Sequence, residues 1–352
     1  MGTTVEDLTT DTIWQRFDAA SALAQAGRWR EAIPQFAALL AADVPRDLRA
    51  HVLNDLGVAY QSLGDFERAA ESFQQSYDIY ERDRNRLGAA IALGNLGTLH
   101  RQQREWQQAI YCFERSLLVF ENLKIDNLAV AKLRVDMGDA LSATGKPKAA
   151  SEQYELALAR QEADGDTRTV ALTLHALGTA QRARSRWQDG IAAFERSSAL
   201  FEQLGDSHNL SVTLNRLGEL HYERRDFANA IQVYQRDLKI VEQSQDERAV
   251  AQALNNLALA YVSDQGFAQA QALLNRALAL WEKLDDDAGL AMALWARAQL
   301  HFEQADLERA AKDGQRALAI FTRLGRDDEA EAVRKWLAAA ERGKRSGWRR
   351  YV

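Results

Sequence analysis

Cysteine, proline and long apolar runs are all scarce in this chain. A single Cys112 among 352 residues excludes an intramolecular disulfide and a cysteine-based zinc site, and fits a reducing compartment, the cytoplasm. Only 3 prolines and 20 glycines leave little to build a flexible linker, so several domains abut closely or one long unit repeats. No stretch approaches the roughly 18 apolar residues of a membrane span, and no basic segment followed by an apolar run opens the chain. Integral membrane association is therefore not expected. Positive charge is short as well. The net charge is −6, and setting aside the five basic residues of the tail (Arg342, Lys344, Arg345, Arg349, Arg350) leaves a body of −11. Such a body cannot neutralise a row of phosphates, which argues against nucleic acid as a partner.

Catalytic signatures are missing too. There is no phosphate-cradling G-x-x-x-x-G-K-[ST], no G-x-S-x-G elbow and no local base beside the cysteine. Asp164/Asp166 and Asp285 to Asp287 could suggest acid–base carboxylates, but they sit between helical stretches, where capping explains them. His100, His221 and His301 share one register position and read as packing residues, while His51, His175 and His208 have no metal-ligand spacing. The chain is read as non-enzymatic, without cofactor or metal.

What is present is repetition. A small residue recurs at Gly57, Gly97, Gly138, Gly178, Gly218, Ala258 and Ala298, with one step of 41 residues and five of 40, and Ala20 precedes the series. Nine residues after the small position stands Trp29, Phe66, Trp106, Trp187, Phe227 or Phe267. Alanine follows three further on, from Ala32 to Ala310, with Gly190 as the exception. Then comes an aromatic: Phe36, Phe73, Phe113, Tyr154, Phe194 or Tyr234, lapsing to Leu274 and Gly314. Apolar spacing of three and four within each unit predicts two helices, A and B, joined by a charged turn such as "ERRDF". The small residues let the paired backbones approach, and the aromatic fills the space between them. Asn85, Asp126, Asp166, Asp206, Asp246 and Asp286 fall where each A helix needs an N-cap. Pro147 suits a first helical turn, whereas Pro34 lies deeper and predicts a kink.

The array resembles the tetratricopeptide repeat family, in the subclass with units of about 40 residues seen in kinesin light chains, Pins-type adaptors and bacterial regulators. The expected fold is all-α: a solenoid of eight stacked helical hairpins across residues 11–325 and a capping helix at 326–341. A disordered segment at 1–10 and a basic tail at 342–352 flank them. The resemblance implies a right-handed superhelix whose concave groove is lined by A helices, and a protein or peptide ligand bound there.

Four positions of each A helix share the stripe that the resemblance turns toward the groove. They give an apolar entrance (Trp14, Phe17), a basic middle (Arg101, Lys132, Arg182) and an aromatic far end (Tyr222, Trp295, Phe302). The basic middle predicts an acidic patch in the ligand. Aromatic anchors suit binding hot spots, although Trp295 and Phe302 could instead be covered by the capping helix. Asn54, Asn215 and Asn255 occupy one offset, and Asn95 and Asn256 the next. A row of amides can bond an extended ligand's backbone; it can equally bond neighbouring repeats. The favoured function is a non-catalytic scaffold. A self-assembling protein docking through its C-terminal end or tail is one alternative, and a peptide-sensing regulator another. The short segment before repeat one, where such regulators carry a helical bundle, speaks against the last. Abundant alanine and a preference for arginine, with 9 lysines among 44 basic residues, point to a bacterial source.

Overall fold

The computed structural model describes residues 10–341, and every regular element among them is an α-helix. In chain order these are α1 (Thr10–Gln25), α2 (Trp29–Ala41), α3 (Arg46–Ser62), α4 (Phe66–Arg82), α5 (Arg86–Gln102), α6 (Trp106–Asn122), α7 (Leu128–Ala143), α8 (Pro147–Asp164) and α9 (Thr167–Ala183). They continue as α10 (Trp187–Gln203), α11 (Ser207–Glu223), α12 (Phe227–Val241), α13 (Glu247–Ser263), α14 (Phe267–Lys283), α15 (Asp287–Glu303), α16 (Leu307–Arg323) and α17 (Asp327–Glu341). The A helices carry odd numbers. Two compact units result, one ending at Arg184 with α1–α9 and one beginning at Ser185 with α10–α17. Within each, consecutive helices pack on one another, giving an all-α solenoid of helical hairpins. The proposed flanks, residues 1–9 and the basic tail at 342–352, lie outside the described residues, whereas Thr10 already belongs to α1.

Each repeat of 40 is two half-steps of 20, because A and B helices have nearly equal length and end alike. A left-handed residue closes helix after helix: Arg84 at φ 57°, Arg104 at 61°, Ser185 at 58°, Arg225 at 62°, Ala305 at 64° and Gly325 at 67° are examples. The next amide then reaches back to the fifth preceding carbonyl, as Asn85 N–H does to Tyr80 at 2.9 Å and Asp226 N–H to His221 at 2.9 Å. This Schellman-type closure satisfies carbonyls that the helix end leaves open.

Most of the expected caps are present. Asn85 accepts from Gly88 N–H at 2.9 Å, Asp166 from Thr169 at 3.2 Å, Asp206 from Asn209 at 3.1 Å and Asp286 from Gly289 at 2.9 Å, and Asp246 caps α13. Asp126 is the correction. Asn127 caps α7 instead, accepting from Val130 N–H at 3.1 Å, because the single 41-residue step inserts its extra residue into this turn. Asp65, Asp226 and Asp306 cap B helices, a ladder the sequence reading missed. Helix α2 runs through Pro34 and spans only 13 residues.

In repeats two, three, four and six the small-and-aromatic pattern is a matching of sizes, whereas repeat one buries Ala20 in the same cluster as Phe36. A methyl added at Gly57 would lie 2.6 Å from the Phe73 ring, at Gly97 2.7 Å from Phe113, and at Gly138 2.5 Å from Tyr154. Gly218 stands likewise against Tyr234. Where the aromatic lapses to Leu274, the small residue grows to Ala258, and both are buried in one cluster. Where it lapses to Gly314, the space is taken by Trp336 and Leu337 of α17, so this helix seals the last hairpin. Each buried ring contributes roughly 2–3 kcal/mol through removal from water.

Candidate functional site

The A-helix stripes provide a candidate wall in each unit. In the first unit its polar groups face one another across neighbouring repeats. Ser21 Oγ donates to Asp55 Oδ2 at 3.0 Å, Asn95 Nδ2 to Asn54 Oδ1 at 2.8 Å, and Gln61 Nε2 to Gln102 Oε1 at 2.9 Å. Further along, Thr98 Oγ1 donates to Asp136 Oδ2 at 3.2 Å, and Arg101 forks between Asp136 at 3.1 Å and Asp139 at 3.2 Å. Tyr154 O–H donates to the other Asp139 oxygen at 2.9 Å. Burial pushes the carboxyls of Asp55, Asp136 and Asp139 above the usual range, opposed by Ser21 at the first, by Arg101 at the second and by the Tyr154 hydroxyl at the third. Arg101 is thus the internal counter-ion of two acids, which removes it from the basic strip expected in the middle of the wall. Arg182, on α9, is half-buried.

The second unit places residues at the same offsets and leaves several without partners. Asn215 is half-buried and makes no side-chain hydrogen bond among the described residues. Asn255 is 1 % exposed, and neither its amide N–H nor its carbonyl oxygen has a protein partner. Trp295 occupies the same offset on α15, which packs directly on the Asn255-bearing α13, and its enclosed indole N–H also lacks an acceptor. Two of the nominated residues are satisfied, Tyr222 by the following repeat and Asn256 within its own helix. Tyr222 shares a 2.9 Å hydrogen bond with Ser263 and lies 5.4 Å, ring to ring, from Phe227, and Asn256 accepts from Gln252 at 3.0 Å. Phe302 is no exposed anchor: at 3 % exposure it meets Trp336 edge-on, with ring centroids 6.0 Å apart, so α17 covers it.

The structure thus separates the nominated residues by neighbourhood. Asn54, Asn95 and Arg101 join one ladder, whereas Asn215, Asn255 and Trp295 share one offset and leave their polar side-chain atoms unpaired. Sequence spacing could have paired Thr98 with Asp136, but not Tyr154, whose hydroxyl arrives from a B helix. Two of the histidines at the shared position turn toward acids five residues on, His100 to Glu105 at 2.6 Å and His221 to Asp226 at 3.2 Å, whereas His301 lies 3.8 Å from Asp313. Among the described residues, no helix is long and apolar enough to cross a membrane.

Comparison with known proteins places this geometry. The sequence finds no match among curated proteins. Its fold is similar to that of the apo form of RapI, with a TM-score of 0.73 at 12% identity over 96% of this chain and 95% of that one. The chain is also similar to a signal transduction ATPase with a tetratricopeptide repeat sensor from Pyrococcus horikoshii (TM-score 0.62, 14% identity, 79% of this chain and 44% of that one). BtubC from P. vanneervenii gives 0.51 at 17% identity over 69% and 94%. The tetratricopeptide repeat family model matches residues 13–82, 88–163, 169–243 and 249–323. With that coverage, and with hairpin following hairpin in each unit, the chain belongs to the tetratricopeptide repeat family, whose members generally mediate protein–protein interactions.

Proposed function

We propose that this protein is a non-catalytic scaffold that binds an extended segment of a partner protein along the A-helix wall of its second unit. The supporting observation is Asn255. A buried amide left without partners costs about 1–3 kcal/mol per group, and natural proteins keep few such groups. Its N–H donates and its carbonyl accepts, which matches the alternating acceptor and donor of a peptide backbone. Trp295, also unpartnered and only half-buried, stands at the same place in the adjoining repeat. Rotation of that indole admits the ligand, and its flat apolar face then packs on it. Asn215 extends the row by one repeat, so side chains of the ligand need not be specified for its backbone to be held.

The test is a capture experiment from source lysate with the intact protein and the variant Asn215→Ala/Asn255→Ala/Trp295→Ala, matched for helicity by circular dichroism. A partner held by the intact protein and released by the variant supports the reading. Identical partner sets for both proteins overturn it.

A further inference from the structure

A cleft of about 470 Å³ lies in the first unit where the turn between α4 and α5 meets α6, away from the A-helix wall residues. Arg84, Arg86 and Arg115 line it, with Glu81 as the one acid among its lining residues. Three positive charges against one negative leave a surplus of two on a protein whose overall balance is −6. These guanidiniums are not spent internally. Arg84 and Arg86 form no ion pair among the described residues, and Arg115 meets two neutral tyrosines, with hydroxyls at 2.9 Å (Tyr77) and 3.3 Å (Tyr111) and ring centroids at 5.7 and 5.6 Å. The nearby Asp83 is already engaged by Arg46 at 3.4 Å. Helix α5 has no acid in its first turn, where a carboxylate ordinarily complements the helix dipole.

The equivalent turn in the second unit shows that the fold does not require this charge. Asp285, Asp286 and Asp287 stand there in the places of Arg84, Asn85 and Arg86, and the cleft beside them is closed electrostatically by Arg248 on Asp286 and Arg323 on Asp287. Both turns make the same left-handed closure, at φ 57° for Arg84 and 51° for Asp285. Geometry is held constant while the charge is inverted, and only the acidic version supplies its own counter-ions.

We propose that the Arg84–Arg86–Arg115 cleft binds a phosphate group, the dianion that its surplus of two charges matches. Planar guanidiniums present paired N–H donors that fit the oxygens of a phosphate, and Arg115 is held in place by its two tyrosines. The site is independent of the scaffold reading above, since it lies in the other unit.

The experiment titrates inorganic phosphate against the full chain, followed by calorimetry and by phosphorus NMR line broadening, with acetate and chloride at matched ionic strength. Arg84→Gly/Arg86→Ala removes the two unpaired charges, glycine being chosen because it accepts the left-handed turn. Arg115→Gln is a second variant on a different element, and Arg248→Ala is the control for loss of a positive charge elsewhere. Saturable phosphate binding, weakened at least about tenfold in both cleft variants and unchanged in the control, is the expected result. An equal response to acetate, or a phosphate response that survives both cleft variants, overturns the proposal.

Discussion

The two A-helix walls use the same offsets and satisfy their polar groups to different degrees, since the Tyr222–Ser263 bond of the second repeats the Gln61–Gln102 bond of the first while other amides there stay unpaired. In the first unit, serine, threonine, asparagine and arginine side chains of one repeat are consumed by acids or amides of a neighbouring one, and among the described A-helix residues the enclosed polar atoms lacking a protein partner are confined to Arg101. On the described A helices of the second unit that deficit falls on Asn255, Trp295 and His301. A saturated ladder adds cohesion between repeats. An unsaturated one lowers stability and keeps bonding capacity in reserve, the kind of local inconsistency that marks functional positions.

The largest test of this contrast removes the arginine that holds the first wall together. Arg101→Leu strands the buried Asp136 and should lower stability by about 3–5 kcal/mol in urea unfolding. A loss below about 1 kcal/mol would mean that the ladder is ornamental.

Asp237 comes next. It fills a slot where Ser76 and Ser116 donate to main-chain carbonyls at 2.8 and 2.7 Å, and burial raises its carboxyl to about 6, only partly opposed by Ser211. Because the folded value exceeds that of the unfolded chain, the protonated folded form is favoured below the unfolded value near 3.8 and stability is lost as pH rises through about 6. Asp237→Ser should therefore stabilise the protein at pH 7 by an amount on the order of 3 kcal/mol and flatten the thermal midpoint between pH 4 and 6. A profile with an unchanged slope there would refute it.

Asn255→Leu sharpens the comparison further. It should raise stability by about 1–3 kcal/mol while abolishing partner capture, whereas the corresponding loss of a satisfied amide, Asn95→Leu, should cost about 1 kcal/mol. If both substitutions destabilise alike, the two walls do not differ as described. The smallest effect belongs to the turns. Ala305→Gly, at φ 64°, should raise the thermal midpoint by the equivalent of about 1 kcal/mol, while Gly64→Ala, at φ 80°, should lower it by a similar amount.

Much of the fold was legible because the repeat multiplies each weak signal. One Gly-and-aromatic pair says little, but the same offsets from Ala20 to Gly314 fix the hairpin and its register. Single departures were harder. Asp126 looked like a cap, and the inserted residue in its turn transferred the role to Asn127. Phe302 and Trp295 sit at stripe positions, yet α17 buries the first and leaves the second half-buried, which depends on a helix outside the repeat pattern. Nor could spacing say which asparagines are satisfied. Asn54 and Asn255 share an offset, and their fates are decided by what the adjoining repeat presents: the Asn95 amide for one, and for the other no hydrogen-bond partner among the described residues.

The pairing of Gly57 with Phe73, Gly138 with Tyr154 and Ala258 with Leu274 carries a consequence for inheritance. Outside repeat one, where Ala20 is packed with Phe36, exchange of a single helix sets alanine against a tyrosine ring, which clashes, or glycine against leucine, which leaves a void. Exchange of a whole hairpin keeps the matched couple intact. The segment that can be duplicated or shuffled without repair is therefore the 40-residue pair, and descent should preserve the two halves together even where the outer surface drifts freely.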